Sequence, residues 1–128
     1  MNSKWEKKTF LIVEDDGVSL EFLMELLEPY KVKLLCVENG VEAVQICEKN
    51  SAIDLILMDV QLPVMNGREA MKKIKTIRPE VPVIAQTAFA MSGDKERYLD
   101  EGFDGYISKP INVSELLKLI ENLISTDR

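Results

Sequence analysis

There is no histidine among the 128 residues of this chain. That absence excludes a histidine nucleophile, histidine metal ligands and any role as a phosphohistidine carrier. Cysteine is scarce: Cys36 and Cys47 stand at no metal-binding spacing. Both fall in apolar-patterned segments, so they read as buried free thiols of a reducing, cytoplasmic compartment. No stretch reads as a signal peptide, and none is apolar enough for long enough to insert in a membrane. Acids outnumber bases, giving a net charge of −6. This balance argues against direct nucleic-acid binding or an anionic membrane as partner. Repeats and low-complexity tracts are missing as well. Residues 1–8 are polar apart from Trp5 and read as an N-terminal arm, and residues 126–128 as a C-terminal tail. Residues 9–125 read as one domain, large enough to hold a core without disulfides.

What is present is a five-fold alternation of short apolar runs and helical patterns. The runs are 9–13, 32–37, 54–58, 81–86 and 104–107. Four consecutive apolar residues, Leu55 to Met58, mark the central one as a strand buried on both faces. In the first helical pattern, 17–28, a wheel puts Ser19, Phe22, Leu23, Leu26 and Leu27 on one face, and Pro29 should end the helix. Asn39, Asn66 and Asn112 each stand three residues before a Glu, the spacing of a helix cap. Ser92 is the candidate cap of the fourth helix. Ala70, Ile74 and Ile77 give the third helix a core stripe; Val113, Leu116, Leu117, Ile120 and Ile124 give the last one. Such alternation predicts an α/β fold: a parallel sheet with helices on both faces and right-handed crossovers.

In a parallel sheet all strand ends of one sense lie along one edge, where ligands bind. Here those ends carry Glu14, Asp15 and Asp16, then Asp59, Thr87 and Lys109. Alone, Asp59 would read as a solvated loop acid, Lys109 as a surface lysine and Thr87 as a turn cap. Together they mean something else. Two like charges about 4 Å apart cost roughly 4 kcal/mol at an effective dielectric near 20. A carboxylate cluster therefore shifts a pKa or recruits a cation. With only oxygen donors on offer, that cation should be Mg²⁺. A lysine ammonium and a hydroxyl beside it suit the equatorial oxygens of a phosphoryl group in transfer. Asp59, on the central strand, is the candidate nucleophile.

Five separated motifs occur in order: Leu11-Ile12-Val13-Glu14-Asp15-Asp16, Met58-Asp59-Val60-Gln61-Leu62-Pro63, Met65-Asn66-Gly67, Thr87-Ala88 and Ser108-Lys109-Pro110. In these the chain resembles the receiver domains of two-component response regulators, and most of all receivers attached to hybrid sensor histidine kinases. The resemblance implies a doubly wound (βα)5, flavodoxin-like domain with sheet order 2-1-3-4-5. It implies Asp59 as phosphoacceptor, Asp15 as direct Mg²⁺ ligand, Glu14 acting on the metal through water, and the Gln61 carbonyl completing the metal site. It implies Thr87 as the switch hydroxyl, Tyr106 as the aromatic that moves with it, and Lys109 as the lysine that holds the phosphoryl charge. The implied donor is a histidine kinase or histidine phosphotransfer protein. The implied output is a shape change of the α4-β5-α5 face, read by a downstream protein. Such a domain accepts a phosphoryl group and slowly loses it rather than turning over a substrate.

Three features lie outside the commonest pattern. Gln86 puts an amide where an apolar strand residue is usual, so it needs a partner if buried. Gln61 and Phe89 occupy the variable positions that tune phosphoryl lifetime. On the first helix, Leu20 and Met24 are four apart and neighbours, and form a candidate docking patch for the donor. Two other functions stay open from the residues alone: a Mg²⁺-dependent phosphatase with an aspartyl nucleophile, and an interaction module independent of phosphorylation. A nucleotide-binding domain would need a glycine-rich loop after the first strand, and none is there.

Overall fold

A computed structural model describes residues 5–62, 65–88 and 90–125. Pro63 and Phe89 lie outside the described residues. The strands are β1 (Thr9–Val13), β2 (Lys33–Val37), β3 (Leu55–Asp59), β4 (Val83–Thr87) and β5 (Gly105–Ser108). The helices are α1 (Gly17–Leu27), α2 (Gly40–Lys49), α3 (Gly67–Ile77), α4 (Asp94–Glu101) and α5 (Val113–Ser125). All strand pairs are parallel and the order is β2-β1-β3-β4-β5, as the alternation and the resemblance imply. The reversal of strand order between β1 and β3 opens a crevice at their carboxyl ends.

Strand periodicity divides the core into two layers. Phe10, Ile12, Leu55, Leu57, Ile84 and Ile107 meet Leu23 and Leu27 of α1 and Leu116 and Ile120 of α5. Leu11, Val13, Ile56, Met58, Val83 and Ala85 meet Ala43 of α2, Ala70 and Ile74 of α3, and Tyr98 of α4. β1, β3 and β4 are buried at every position, which is why their sequences run apolar without alternation.

Local chemistry sets the helix starts. Asn39, Asn66 and Asn112 side chains accept from the backbone N–H of Glu42, Glu69 and Glu115 at 2.9–3.0 Å. Ser92 does not cap α4. Gly93, at φ 83°, occupies the cap position with no side-chain bond, and the Asp94 carboxylate instead accepts from Met91 N–H at 2.8 Å. Pro29 ends α1 as expected, the α-helix stopping at Leu27. The chain tightens into a 3₁₀ turn, Glu28–Tyr30, which tolerates a proline in its first positions.

Several side chains depart from their expected layers. Trp5, in the polar N-terminal stretch, is buried against Phe10 and Tyr30, with ring centroids at 5.6 and 4.7 Å. The α1 stripe centres between Leu23 and Leu27. Phe22 therefore lies about a third of a turn away and is 42% exposed. Phe22 and Val113 line an open groove between α1 and α5 instead of the core. Ile77, the last residue of α3, is also exposed.

Cys47 is buried as expected, but Cys36 is exposed, because β2 is an edge strand covered incompletely by its neighbours. Burial pushes the Cys47 thiol up to about 11. Alkylation at pH 8 should therefore add one label to the native protein, on Cys36, and two in denaturant. Intact mass after a short iodoacetamide pulse checks this.

Candidate functional site

The carboxyl ends of β1, β3, β4 and β5 converge as the sequence predicts. Glu14 follows β1, with its N–H held by the Val37 carbonyl at 3.0 Å. Asp59 is the last residue of β3, and its register partner is Gln86 on β4. The Lys109 backbone N–H donates to the Thr87 carbonyl at 2.8 Å, and Lys109 joins Pro110 through a cis peptide. By the two-residue period, Glu14, Asp59, Gln86 and Lys109 continue the sheet face covered by α1 and α5. Thr87 and Tyr106 belong to the opposite face. The site thus straddles the sheet edge, with Lys109 on one side of Asp59 and Thr87 on the other.

Glu14 and Asp59 are only 1% and 5% exposed, whereas Asp15 is exposed. One carboxylate oxygen from each lies within 4.8 Å of the others. Lys109 Nζ bridges the two buried acids, donating to Glu14 Oε1 at 3.0 Å and Asp59 Oδ2 at 3.3 Å. The second Asp59 oxygen accepts from Gln61 N–H at 2.9 Å. Burial pushes the Glu14 carboxyl up to about 6; the Lys109 hydrogen bond opposes this and the Asp59 charge adds to it. Burial works against the Lys109 ammonium, but its bond to Glu14 and the charges of Asp59 and Glu14 win, holding it above the ordinary lysine value. An all-oxygen donor set with two buried carboxylates and one exposed suits a hard cation that keeps part of its water shell, which fits Mg²⁺.

Asp16 has a different job. Its carboxylate caps α1, accepting from Ser19 N–H at 3.0 Å and Ser19 Oγ at 2.7 Å. Those bonds hold it below the usual carboxylate range. It is absent from the group that could share a cation.

The switch candidates lie together. Thr87 is fully buried and its Oγ donates to Gln61 Oε1 at 3.3 Å. Tyr106, half-buried, stacks on Tyr98 of α4 with centroids 5.4 Å apart and planes at 17°. The Arg68 guanidinium of α3 covers Tyr98 at 4.8 Å and bonds Glu101 at 2.7 Å. The sequence reading missed Tyr98 and Arg68, because their contacts join segments distant in the chain.

Two further features emerge. Gln86 is fully buried, and among the described residues neither its Nε2 nor its Oε1 has a hydrogen-bond partner. A buried amide left so costs about 1–3 kcal/mol. The second feature is on α1. Leu20 is half-buried and packs against the α1/α5 core layer, while Met24 is 44% exposed. Nearer the site, Val18, 76% exposed, and Phe22 line a groove of about 320 Å³ with Lys109, Pro110 and Ile111. Centring the α1 stripe on Leu23 and Leu27 would have pointed to Phe22.

Comparison with known proteins agrees with this geometry. A family model described as response regulator receiver domain matches residues 10–121. The polar-differentiation response regulator DivK of Brucella anthropi is 39% identical over 120 residues, spanning 91% of this chain and 96% of DivK. Among solved structures, the receiver domain of the sensor histidine kinase PA1611 of Pseudomonas aeruginosa, with magnesium in its active-site cleft, superposes with a TM-score of 0.83. It is 33% identical and covers 92% of this chain and 98% of that one. The complex of the Saccharomyces cerevisiae phosphotransfer protein Ypd1 with the receiver domain of Ssk1 also matches. It has a TM-score of 0.83 and 33% identity, over 93% of this chain and 90% of that one.

Proposed function

Since the chain belongs to the response regulator receiver family of two-component signalling, we propose that it accepts a phosphoryl group on Asp59 from a phosphohistidine donor. The observation that carries this reading is the Lys109 ammonium bridging two buried carboxylates at the sheet edge. In the transfer, an Asp59 carboxylate oxygen forms a bond to phosphorus as the bond from phosphorus to the donor imidazole nitrogen breaks. The electron pair of that bond stays on the imidazole. Lys109 faces the charge on the phosphoryl oxygens, and the Gln61 N–H keeps the carboxylate oriented.

Asp15, Asp59, Glu14 and the Gln61 carbonyl would hold Mg²⁺, which when bound offsets the charge of the phosphoryl oxygens. Thr87 leaves Gln61 for the new phosphate. Tyr106 then moves off Tyr98 into the space vacated, and the face formed by α4, β5 and α5 changes shape for a downstream protein. A phosphatase is the weaker reading, because the residue two after Asp59 is the neutral Gln61 and supplies no general acid. Binding of beryllofluoride, a stable phosphoryl mimic, should require Mg²⁺; a wild-type protein that never binds it would sink the reading.

The donor docks, on this reading, over α1. Val18 and Phe22 offer exposed apolar surface beside Lys109, while Met24 and the half-buried Leu20 lie on the other flank of α1. Val18→Ser with Phe22→Ser should slow transfer from a phosphohistidine protein about tenfold. Phosphorylation by acetyl phosphate should be unchanged. Leu20→Ser should cost stability as well, since it opens the core layer. Equal loss with both donors would refute the docking site.

A further inference from the structure

Gln86 is out of place as a structural residue. It sits on a central strand, fully buried, at a position where the flanking layer is leucine and isoleucine. Neither amide atom has a partner among the described residues. Its neighbour across the ladder is Asp59, and its neighbour on the other side is Ile107, two residues before Lys109. Parallel register partners point to the same face about 5 Å apart. The amide therefore belongs to the same sheet face as the Asp59 carboxyl, and Lys109 continues that face two residues beyond Ile107.

Those two groups satisfy each other in the unloaded site. Lys109 donates to Asp59 and Glu14, and Gln61 N–H donates to the other Asp59 oxygen. Nothing calls on Gln86. The arrangement must change once a phosphoryl group arrives, because the ammonium is drawn to the new charge and its bond to Asp59 Oδ2 is given up. The side of the Asp59 carboxyl that the ammonium leaves is then open to another donor, and Gln86 Nε2 is the unpartnered buried donor on the same sheet face. The amide Oε1 can at the same time accept from the displaced ammonium.

We propose that Gln86 is a positioning residue whose amide is unpartnered in the unloaded state and engages the Asp59 carboxyl and Lys109 only when a phosphoryl group occupies the site. The inference rests on the reading of Asp59 as phosphoacceptor. It makes Gln86 a built-in bias: it destabilises the empty site and favours the loaded one.

Gln86→Met keeps the volume and shape of the side chain and removes both polar atoms; Gln86→Leu is the second variant should the first fold poorly. Two measurements separate the outcomes. Thermal unfolding without ligand should show both variants several degrees more stable than wild type, since an orphaned amide has been removed. Titration with beryllofluoride in saturating Mg²⁺ should show affinity reduced about tenfold, and the wild-type Gln86 side-chain NH₂ resonances should shift on binding. Variants that are more stable yet bind the mimic as wild type does would overturn the proposal, as the amide would then be no more than strain. Variants no more stable than wild type would overturn it too, because the amide would already be satisfied in the empty site. If wild type itself fails to bind beryllofluoride, the phosphoacceptor reading falls and Gln86 is not the cause.

Discussion

Lys109→Ala should lower the rate of phosphorylation by acetyl phosphate about 10²- to 10³-fold, the range seen when one preorganised charge-stabilising donor is lost. The reason is visible in the empty site. Lys109 Nζ is the cation between the Glu14 and Asp59 carboxylates, at 3.0 and 3.3 Å. Without it the transferring phosphoryl oxygens meet an uncompensated acid pair. The folded protein should suffer as well, by about 2 kcal/mol at pH 8, less than for a wholly enclosed ion pair because the lysine side chain keeps 20% of its surface.

The pH dependence follows from Glu14. Its carboxyl sits at about 6, chiefly through burial, and Lys109 opposes that rise. Removing Lys109 moves it higher. A carboxyl raised in the folded state binds its proton more tightly there than in the unfolded chain. Stability must therefore fall as pH rises from the ordinary carboxyl value through the folded one. The variant should be close to wild type at pH 5 and clearly weaker at pH 8, and Mg²⁺ should shrink the gap. Urea unfolding at the two pH values, with and without Mg²⁺, reads this directly. A deficit independent of pH would mean that Lys109 acts through packing alone.

Gly67→Ala is the second severe change. Gly67 opens α3 where the helix crosses over the end of β3, and its N–H donates to the Val60 carbonyl at 3.2 Å. A Cβ there would stand 2.5 Å from the Asp59 carbonyl oxygen and 2.7 Å from Val60 Cα, both backbone atoms. No rotamer change relieves that contact. Either α3 lifts or the β3 end shifts, and Asp59 is on that end. A loss of about 2 kcal/mol or more is expected despite the better helix propensity of alanine, with weaker Mg²⁺ and beryllofluoride binding. Gly17→Ala is the control, since a Cβ at Gly17 meets nothing within 4 Å. It should be neutral or slightly stabilising in urea unfolding. Parity between the two variants would contradict the packing argument.

Most of the sheet was legible because its chemistry is local and periodic. Unbroken apolar runs marked β1, β3 and β4, and three asparagine caps marked α2, α3 and α5. The motifs that end the strands also carry the family resemblance, so the grouping of Glu14, Asp15, Asp59, Thr87 and Lys109 could be read before any coordinates. What stayed hidden depends on contacts between distant segments. Trp5 sits in a charged stretch and finds Tyr30 only once the chain has folded. Cys36 looks like core until the strand order makes β2 an edge. Ser92 has the right chemistry for a cap, but Gly93 and Asp94 take over the turn. The exposed side of α1 was displaced for the same reason: a wheel gives angles, and the sheet chooses which angle faces inward.

The central claim is that Asp59 accepts a phosphoryl group with Mg²⁺ at the site. Intact mass of the protein quenched after incubation with acetyl phosphate, with and without Mg²⁺ and beside Asp59→Asn, tests it most directly. One phosphoryl mass gained by wild type only with Mg²⁺, and none by Asp59→Asn, is the predicted result. The same gain in Asp59→Asn, or a gain indifferent to Mg²⁺, would contradict it.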